Sequence, residues 1–248
     1  MKYERFHLVL MATHACNLRC DYCYTGRKFP RVMQAEVGRA AIRRAVSSLT
    51  PGGLLDLGFF GGEPLLEADL LADMLHFAEQ STEPLGVRLR PGITTNGTVL
   101  TPSAWKLLTL DSLDVCISHD GLPEAHNRHR GADGCGGAEQ VVETIRRLQD
   151  SRKDLRVVMV VRPDTVVLLP EGIRWLCDRG VRRFDLTLDV WAAWDRAGVE
   201  QLEESLVRTA ALWQQELPKV AINWFDEKAA HLAAIPIEPC ARCGFVNP

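Results

Sequence analysis

Apolar residues come in short continuous runs that alternate with longer stretches of helical periodicity. Phe6 to Ala12 is the first run. Beyond a cysteine-bearing loop, Ala35, Val37, Ala41, Ile42, Ala45, Val46 and Leu49 recur at roughly helical spacing within Gln34 to Leu49. The pattern predicts strand, loop and helix, and it repeats. Leu54 to Phe60 precedes the helical stretch Ala68 to Gln80, Val87 to Thr94 precedes Pro102 to Leu110, and Leu113 to Ser118 precedes Ala138 to Asp150. Leu155 to Val161 then leads to Leu169 to Arg179, and Arg183 to Val190 to the long helix Gly198 to Glu216. Six β/α units in regular alternation predict an α/β fold with a parallel sheet and right-handed crossovers.

Runs such as Val157-Val158-Met159-Val160-Val161 are apolar at successive positions, which is what a strand buried on both faces requires. A closed eight-stranded barrel typically needs about 250 residues or more. Six units therefore favour a partial (β/α)6 TIM-like barrel, with an open doubly wound sheet as the alternative. Residues 1–217 read as the barrel core and 218–248 as a C-terminal extension. Chemistry is expected at the carboxyl ends of the strands in either architecture.

A composition of 46% hydrophobic and 25% charged residues in 248 excludes disorder, collagen and coiled coil as overall descriptions. The net charge of −3 supplies no field to hold a polyphosphate backbone, so nucleic acid is not an expected partner. No apolar run approaches the ~18 residues of a membrane span, and Met1 to Arg5 does not open a signal peptide. A cytoplasmic setting and no membrane partner are expected. Three of the eight cysteines crowd into Cys16 to Cys23, which suits a metal role in a reducing compartment better than a disulfide framework.

The unusual residues fall where the strands end. Thr13 to Tyr24 follows the first strand, Gly61-Gly62-Glu63-Pro64 the second, Thr95-Asn96-Gly97 the third and Ser118-His119-Asp120-Gly121 the fourth. Cys16, Cys20 and Cys23, spaced Cys-x3-Cys-x2-Cys, place three thiolates where one short loop could set each on a different iron of a cubic cluster. A structural zinc would want a fourth ligand, so a zinc loop or unpaired core thiols are the alternatives.

Cys16-Asn17-Leu18-Arg19-Cys20-Asp21-Tyr22-Cys23 resembles the signature of the radical S-adenosylmethionine (radical SAM) superfamily. The resemblance implies a [4Fe-4S] cluster on the three cysteines, with one iron open to S-adenosylmethionine. One electron then cleaves the sulfonium, and a 5'-deoxyadenosyl radical abstracts hydrogen from substrate. It also implies that Gly61, Gly62, Glu63 and Pro64 form the segment whose backbone and carboxylate receive the cofactor's ammonium. Tyr22 would lie near the adenine, Thr95 and Asn96 would line the pocket, and Ser118 and Asp120 would belong to a segment approaching the ribose or carboxylate. His119 departs from the family pattern and is a candidate proton donor or substrate contact, against the alternative of a solvated bystander. Glu124 to Gly131 resembles a stretch of the peptide-modifying branch. Arg130 would pair there with a cofactor or substrate carboxylate, or else the stretch is a solvated basic loop.

Asp189 stands at a strand end as a candidate for substrate binding or proton removal, with Trp191 and Trp194 nearby as mouth or packing residues. Cys240 and Cys243 form a second thiol site. Family members with a C-terminal SPASM domain hold auxiliary Fe-S clusters in that region, but two cysteines do not complete one. The resemblance is to the sulfatase-maturase-like, SPASM-type branch with a shortened C-terminus. It implies a peptide or protein substrate, as in ribosomal-peptide maturation, and an electron donor such as flavodoxin or ferredoxin. A leader peptide would then be bound by a separate recognition protein or by the barrel rim. A small-molecule substrate, a non-catalytic Fe-S or zinc scaffold, and an activase that places a radical on a partner's glycine are the other readings.

Overall fold

The computed structural model describes residues 2–130 and 137–234. The elements run β1 (Tyr3–Thr13), α1 (Ala35–Ser47), β2 (Leu49–Gly61), α2 (Ala68–Thr82), β3 (Arg88–Thr95), α3 (Pro102–Leu108) and β4 (Asp114–Ser118). They continue with α4 (Pro123–Arg130), α5 (Ala138–Asp150), β5 (Leu155–Val161), α6 (Leu169–Cys177), β6 (Arg183–Leu188), α7 (Arg196–Glu216), β7 (Ala221–Ile222) and α8 (Asn223–Leu232). All six expected strand and helix pairs are present. The strands pair in parallel in the order β1-β2-β3-β4-β5-β6-β7. A doubly wound sheet reverses its strand order at a switch point; consecutive order makes this a sheet that curls one way, the partial barrel.

Local signals start the helices where the chain must turn back. Thr101 Oγ1 accepts from Ala104 N at 3.2 Å ahead of Pro102, and Asp195 Oδ1 accepts from Gly198 N at 2.8 Å. Each is a side-chain cap for donors that a helix leaves unpaired. Among the described residues no helix is long and apolar enough to cross a membrane.

The two faces of the sheet differ, which corrects the expectation of burial on both. Leu10, Leu55, Leu57, Phe59, Ile93, Val115, Ile117, Val157, Met159, Phe184 and Leu186 join the core formed with the helices. The alternate residues point to the concave side, where Val9 and Met11 are 40% and 39% exposed and Val158 and Val160 are half-buried. A continuous apolar run here means a strand between a packed core and an open lumen.

The amino-terminal end of that lumen is floored by charge. Asp56 on β2 takes Arg5 Nε of β1 at 2.6 Å and Arg90 Nε of β3 at 2.5 Å. Arg156 on β5 lies 3.3 Å from Asp114 of β4 and pairs with Asp185 of β6. Asp56 and Arg156 are buried at the centres of their triads, and Arg156 Nε makes no hydrogen bond.

Candidate active site

The carboxyl ends of the strands converge on the cysteine loop, which is stitched down on both sides. Gly62 N donates to Thr13 O and Glu63 N to Ala15 O, each at 2.8 Å, so the loop's start runs against the turn after β2. A Cβ on Gly61, whose φ is +145°, would sit 2.5 Å from Thr13 O, and one on Gly62 would sit 2.0 Å from Ala15 O. These glycines admit another stretch of backbone, a demand the sequence assigned to a ligand. The return leg of the loop pairs with β1 through His14 N to Arg31 O (2.9 Å) and Met33 N to Ala12 O (2.8 Å).

Glu63 is fully buried and acts as a staple. Its Oε1 accepts from Leu65 N at 3.0 Å and Thr95 Oγ1 at 2.6 Å, and its Oε2 from Asn96 N at 2.7 Å. Burial pushes its carboxyl up to about 7 against the pull of those donors. The carboxylate thus serves the protein's own backbone, and Pro64 beside it is buried in the following turn. Asn96 reaches across to Asn17 Oδ1 at 2.9 Å, and Asn17 in turn donates to Thr98 Oγ1 at 2.7 Å. The loops after β1, β2 and β3 form one hydrogen-bonded unit.

Cys16, Cys20 and Cys23 are half-buried on this unit. Burial raises Cys16 and Cys20, and each of the two also feels the negative charge of Cys23. Burial acts on Cys23 too, but Lys28 Nζ at 2.8 Å from its sulfur, with Thr25 close by, carries that thiol below its ordinary value. Among the described residues no three metal-ligating side chains converge on a position for a single metal ion. A cubic cluster asks instead for three sulfurs bonded to separate irons, and three thiols on one pinned loop fit that requirement.

Beyond them lies a buried polar knot. Asp120 accepts from Arg130 Nε at 2.8 Å and Nη2 at 3.0 Å, from Val160 N at 2.9 Å and from the Tyr22 hydroxyl. Burial pushes Asp120 up, but the Arg130 guanidinium more than offsets this and holds it below its usual range; Asp120 holds Arg130 above its own against burial. Arg130 is therefore paired with Asp120 inside the protein and is not part of a solvated basic loop. It comes from α4, whose buried residues are Ala125, His126, His129 and Arg130. Two guanidinium groups lie near the Tyr22 ring, Arg130 at 5.3 Å and Arg162 at 5.7 Å from its centre.

His119 is fully enclosed, which corrects the alternative of a solvated bystander. Its Nδ1 accepts from Gly121 N at 3.1 Å, its Nε2 lies 3.3 Å from Ala138 O, and its ring stacks on Trp175 with the His126 ring tilted against it. Burial, with His126 nearby, lowers it to about 3, so it stays neutral and is closed to solvent. Ser118 differs. Its hydroxyl has no hydrogen-bond partner among the described residues, and it shares the concave face with Asp114 four residues earlier on β4.

Asp189 closes β6. It pairs with Arg162, accepts from Trp191 N at 3.1 Å, and its carbonyl takes Trp194 Nε1 at 2.8 Å. Trp194 is thus a packing residue, whereas Trp191 stands 82% exposed at the rim. Sequence reading missed Arg162 and Lys28. Arg162 was findable as the charge directly after the apolar run of β5; the contact of Lys28 depends on a loop conformation that spacing does not encode. Cys240 and Cys243, with any auxiliary cluster there, lie outside the described residues.

The model of the radical SAM superfamily matches residues 10–176, and the chain belongs to that superfamily. It is 25% identical over 169 residues to the cysteine-type anaerobic sulfatase-maturating enzyme of Clostridium perfringens, covering 64% of this chain and 44% of that protein. It is 29% identical over 184 residues to the pre-heme d1 synthase of Dinoroseobacter shibae, covering 73% and 42%. The chain spans about half the length of the curated relatives it matches. Among solved structures, anSMEcpe with bound AdoMet superposes with a TM-score of 0.80 at 18% identity, covering 93% of this chain and 66% of that one. The fold is therefore the radical SAM partial barrel.

Proposed function

We propose that the chain is the catalytic barrel of a radical SAM enzyme acting on a peptide or protein side chain. The observation that carries this reading is the set of three half-buried thiols on a loop pinned to the Gly61–Glu63 turn, at the mouth of an open lumen. Cys16, Cys20 and Cys23 would hold a [4Fe-4S] cluster, and when bound the cluster supplies the electron that cleaves S-adenosylmethionine and starts hydrogen abstraction. The chain's own contribution is placement. Glu63 and Asn96 hold the loops in register, the Asp120–Arg130 pair fixes the Tyr22 ring, and the Ser118 hydroxyl offers a free donor and acceptor to the cofactor. The Arg162–Asp189 pair borders the lumen as the candidate substrate contact. Free thiols suit a reducing cytoplasm.

A peptide substrate is supported by the sulfatase-maturating relative, by the sporulation killing factor maturation protein of Bacillus subtilis, and by the neighbour anSMEcpe bound to a Kp18Cys peptide. The pre-heme d1 synthase relative favours a second reading, a small-molecule substrate held in the same lumen. The test is anaerobic reconstitution with iron and sulfide, reduction, and measurement of iron, visible absorbance and 5'-deoxyadenosine beside the Cys16→Ala, Cys20→Ala, Cys23→Ala triple variant. About four irons per chain and 5'-deoxyadenosine in the parent alone are expected. Equal iron in both proteins would overturn the assignment.

A further inference from the structure

The cysteine loop carries charge of the opposite sign to the whole. Residues 13–33 hold Arg19, Arg27, Lys28 and Arg31 against the single acid Asp21, in a chain whose net charge is −3. That acid is engaged by α4: its carboxylate lies 3.1 Å from His129 Nδ1 and its amide donates to His129 O. Arg19 donates only to the carbonyls of Cys16 and Leu18, and among the described residues Arg27 and Arg31 make no side-chain ion pair. All three arginines are exposed.

The patch is held in a fixed shape. Arg31 O receives His14 N and Thr13 Oγ1, Val32 bridges antiparallel to Thr13, and the Phe29 ring stacks on His14 at 4.6 Å. Phe29 and Tyr24, on the same loop, remain 41% and 60% exposed. At its inner edge Lys28 touches the Cys23 sulfur at 2.8 Å, so the charged surface is continuous with the half-buried thiols. A rigid, cationic, aromatic-studded surface immediately over the metal loop suits a soluble electron carrier, because electrostatic complementarity steers encounter and orients the two redox groups.

Resting on the proposed cluster at Cys16, Cys20 and Cys23, we propose that Arg19, Arg27 and Arg31, with Tyr24 and Phe29, form the docking surface for an acidic one-electron carrier protein. The carrier gives up one electron, the oxidised cluster gains it, and no bond or proton is exchanged at the contact. The direct contact of Lys28 with a cluster thiol favours this partner over an acidic peptide substrate, which must instead reach the lumen.

The probe is an acidic flavodoxin. Its affinity for the cluster-loaded protein is read by flavin fluorescence, and its rate of cluster reduction by visible absorbance, for the parent, Arg27→Glu/Arg31→Glu and Arg27→Gln/Arg31→Gln. At low salt the charge-reversed variant is expected to lose about tenfold or more in both, within the range electrostatic steering commands, and the neutral variant less. The differences should shrink as salt shortens the screening length to about 3 Å near 1 M. Cluster content and reduction by photoreduced deazaflavin should be unchanged in both variants. Loaded variants that bind and accept electrons from flavodoxin like the parent overturn the docking surface and leave the cluster assignment standing. So does weakened binding of an acidic substrate peptide with flavodoxin unaffected. A parent that takes up no cluster overturns the underlying reading, and this inference with it.

Discussion

The two ends of the barrel lumen are both lined by charged side chains, yet they use them differently. At the amino-terminal floor, Arg5, Asp56, Arg90, Asp114, Arg156 and Asp185 are consumed by one another across neighbouring strands. At the carboxyl rim, Glu63, Asp120, Arg130, Arg162 and Asp189 are likewise consumed. Set among them, however, are three thiols and the Ser118 hydroxyl, groups left with free valence. Charge at the floor is scaffolding, and so is most of it at the rim; the groups proposed above to meet a ligand are the Arg162–Asp189 pair bordering the lumen and the thiols and hydroxyl set among the other pairs.

Removing the central cation of the floor is the strongest way to break that contrast. Arg156→Leu leaves Asp114 and Asp185 without their shared partner and should cost about 3–5 kcal/mol, read as the urea midpoint shift. Affinity of the folded protein for S-adenosylmethionine should stay within about twofold, a change too small to register against the ~1.4 kcal/mol of a tenfold step. A matching loss of affinity would make the floor part of the site.

The rim carries two buried groups whose protonation opposes each other. Glu63, near 7 when folded against an ordinary 4.5, takes up a proton on folding. Its contribution to stability is full below about 4.5 and fades as pH rises through about 7. His119, held near 3 against 6.5, gives a contribution that is full above 6.5 and fades as pH falls toward 3. Urea titrations across this range should show Glu63→Gln flattening the loss on the alkaline side and His119→Asn flattening the loss on the acid side. Parent-like slopes in both variants would remove these two groups from the pH response.

Ser118→Ala sharpens the contrast with the smallest change. It should leave stability within about 0.5 kcal/mol, as an unpartnered hydroxyl allows. Affinity for S-adenosylmethionine, measured by calorimetry on the cluster-loaded protein, should fall about tenfold, the worth of one hydrogen bond to a charged group. Unchanged affinity would return Ser118 to the wall of the lumen.

Much of this architecture is legible in the chain because buried strands and amphipathic helices write their periods directly into apolar positions. The rim loops are legible because cysteine, paired glycines and buried acids are costly outside a special role. α4 escapes that logic: apart from Ala125, the face it buries is made of His126, His129 and Arg130, so its pattern reads as solvated. β7 is two residues long, below the reach of any periodicity. The half-open character of β1 and β5 is hidden because an apolar residue facing a lumen and one facing a core look alike in sequence.

The floor has one more consequence, for the order in which the strands assemble. Along β1 to β6 its charges read positive, negative, positive, negative, positive, negative, so each strand meets opposite charge on the side where its correct neighbour lies. A collapsing chain that set β1 beside β3 would bring Arg5 against Arg90, and β4 beside β6 would bring Asp114 against Asp185. Like charges on adjacent strands repel. The alternation at this end of the lumen thus works as a parity code, disfavouring any pairing that skips one strand, an error that apolar strand faces alone would not distinguish.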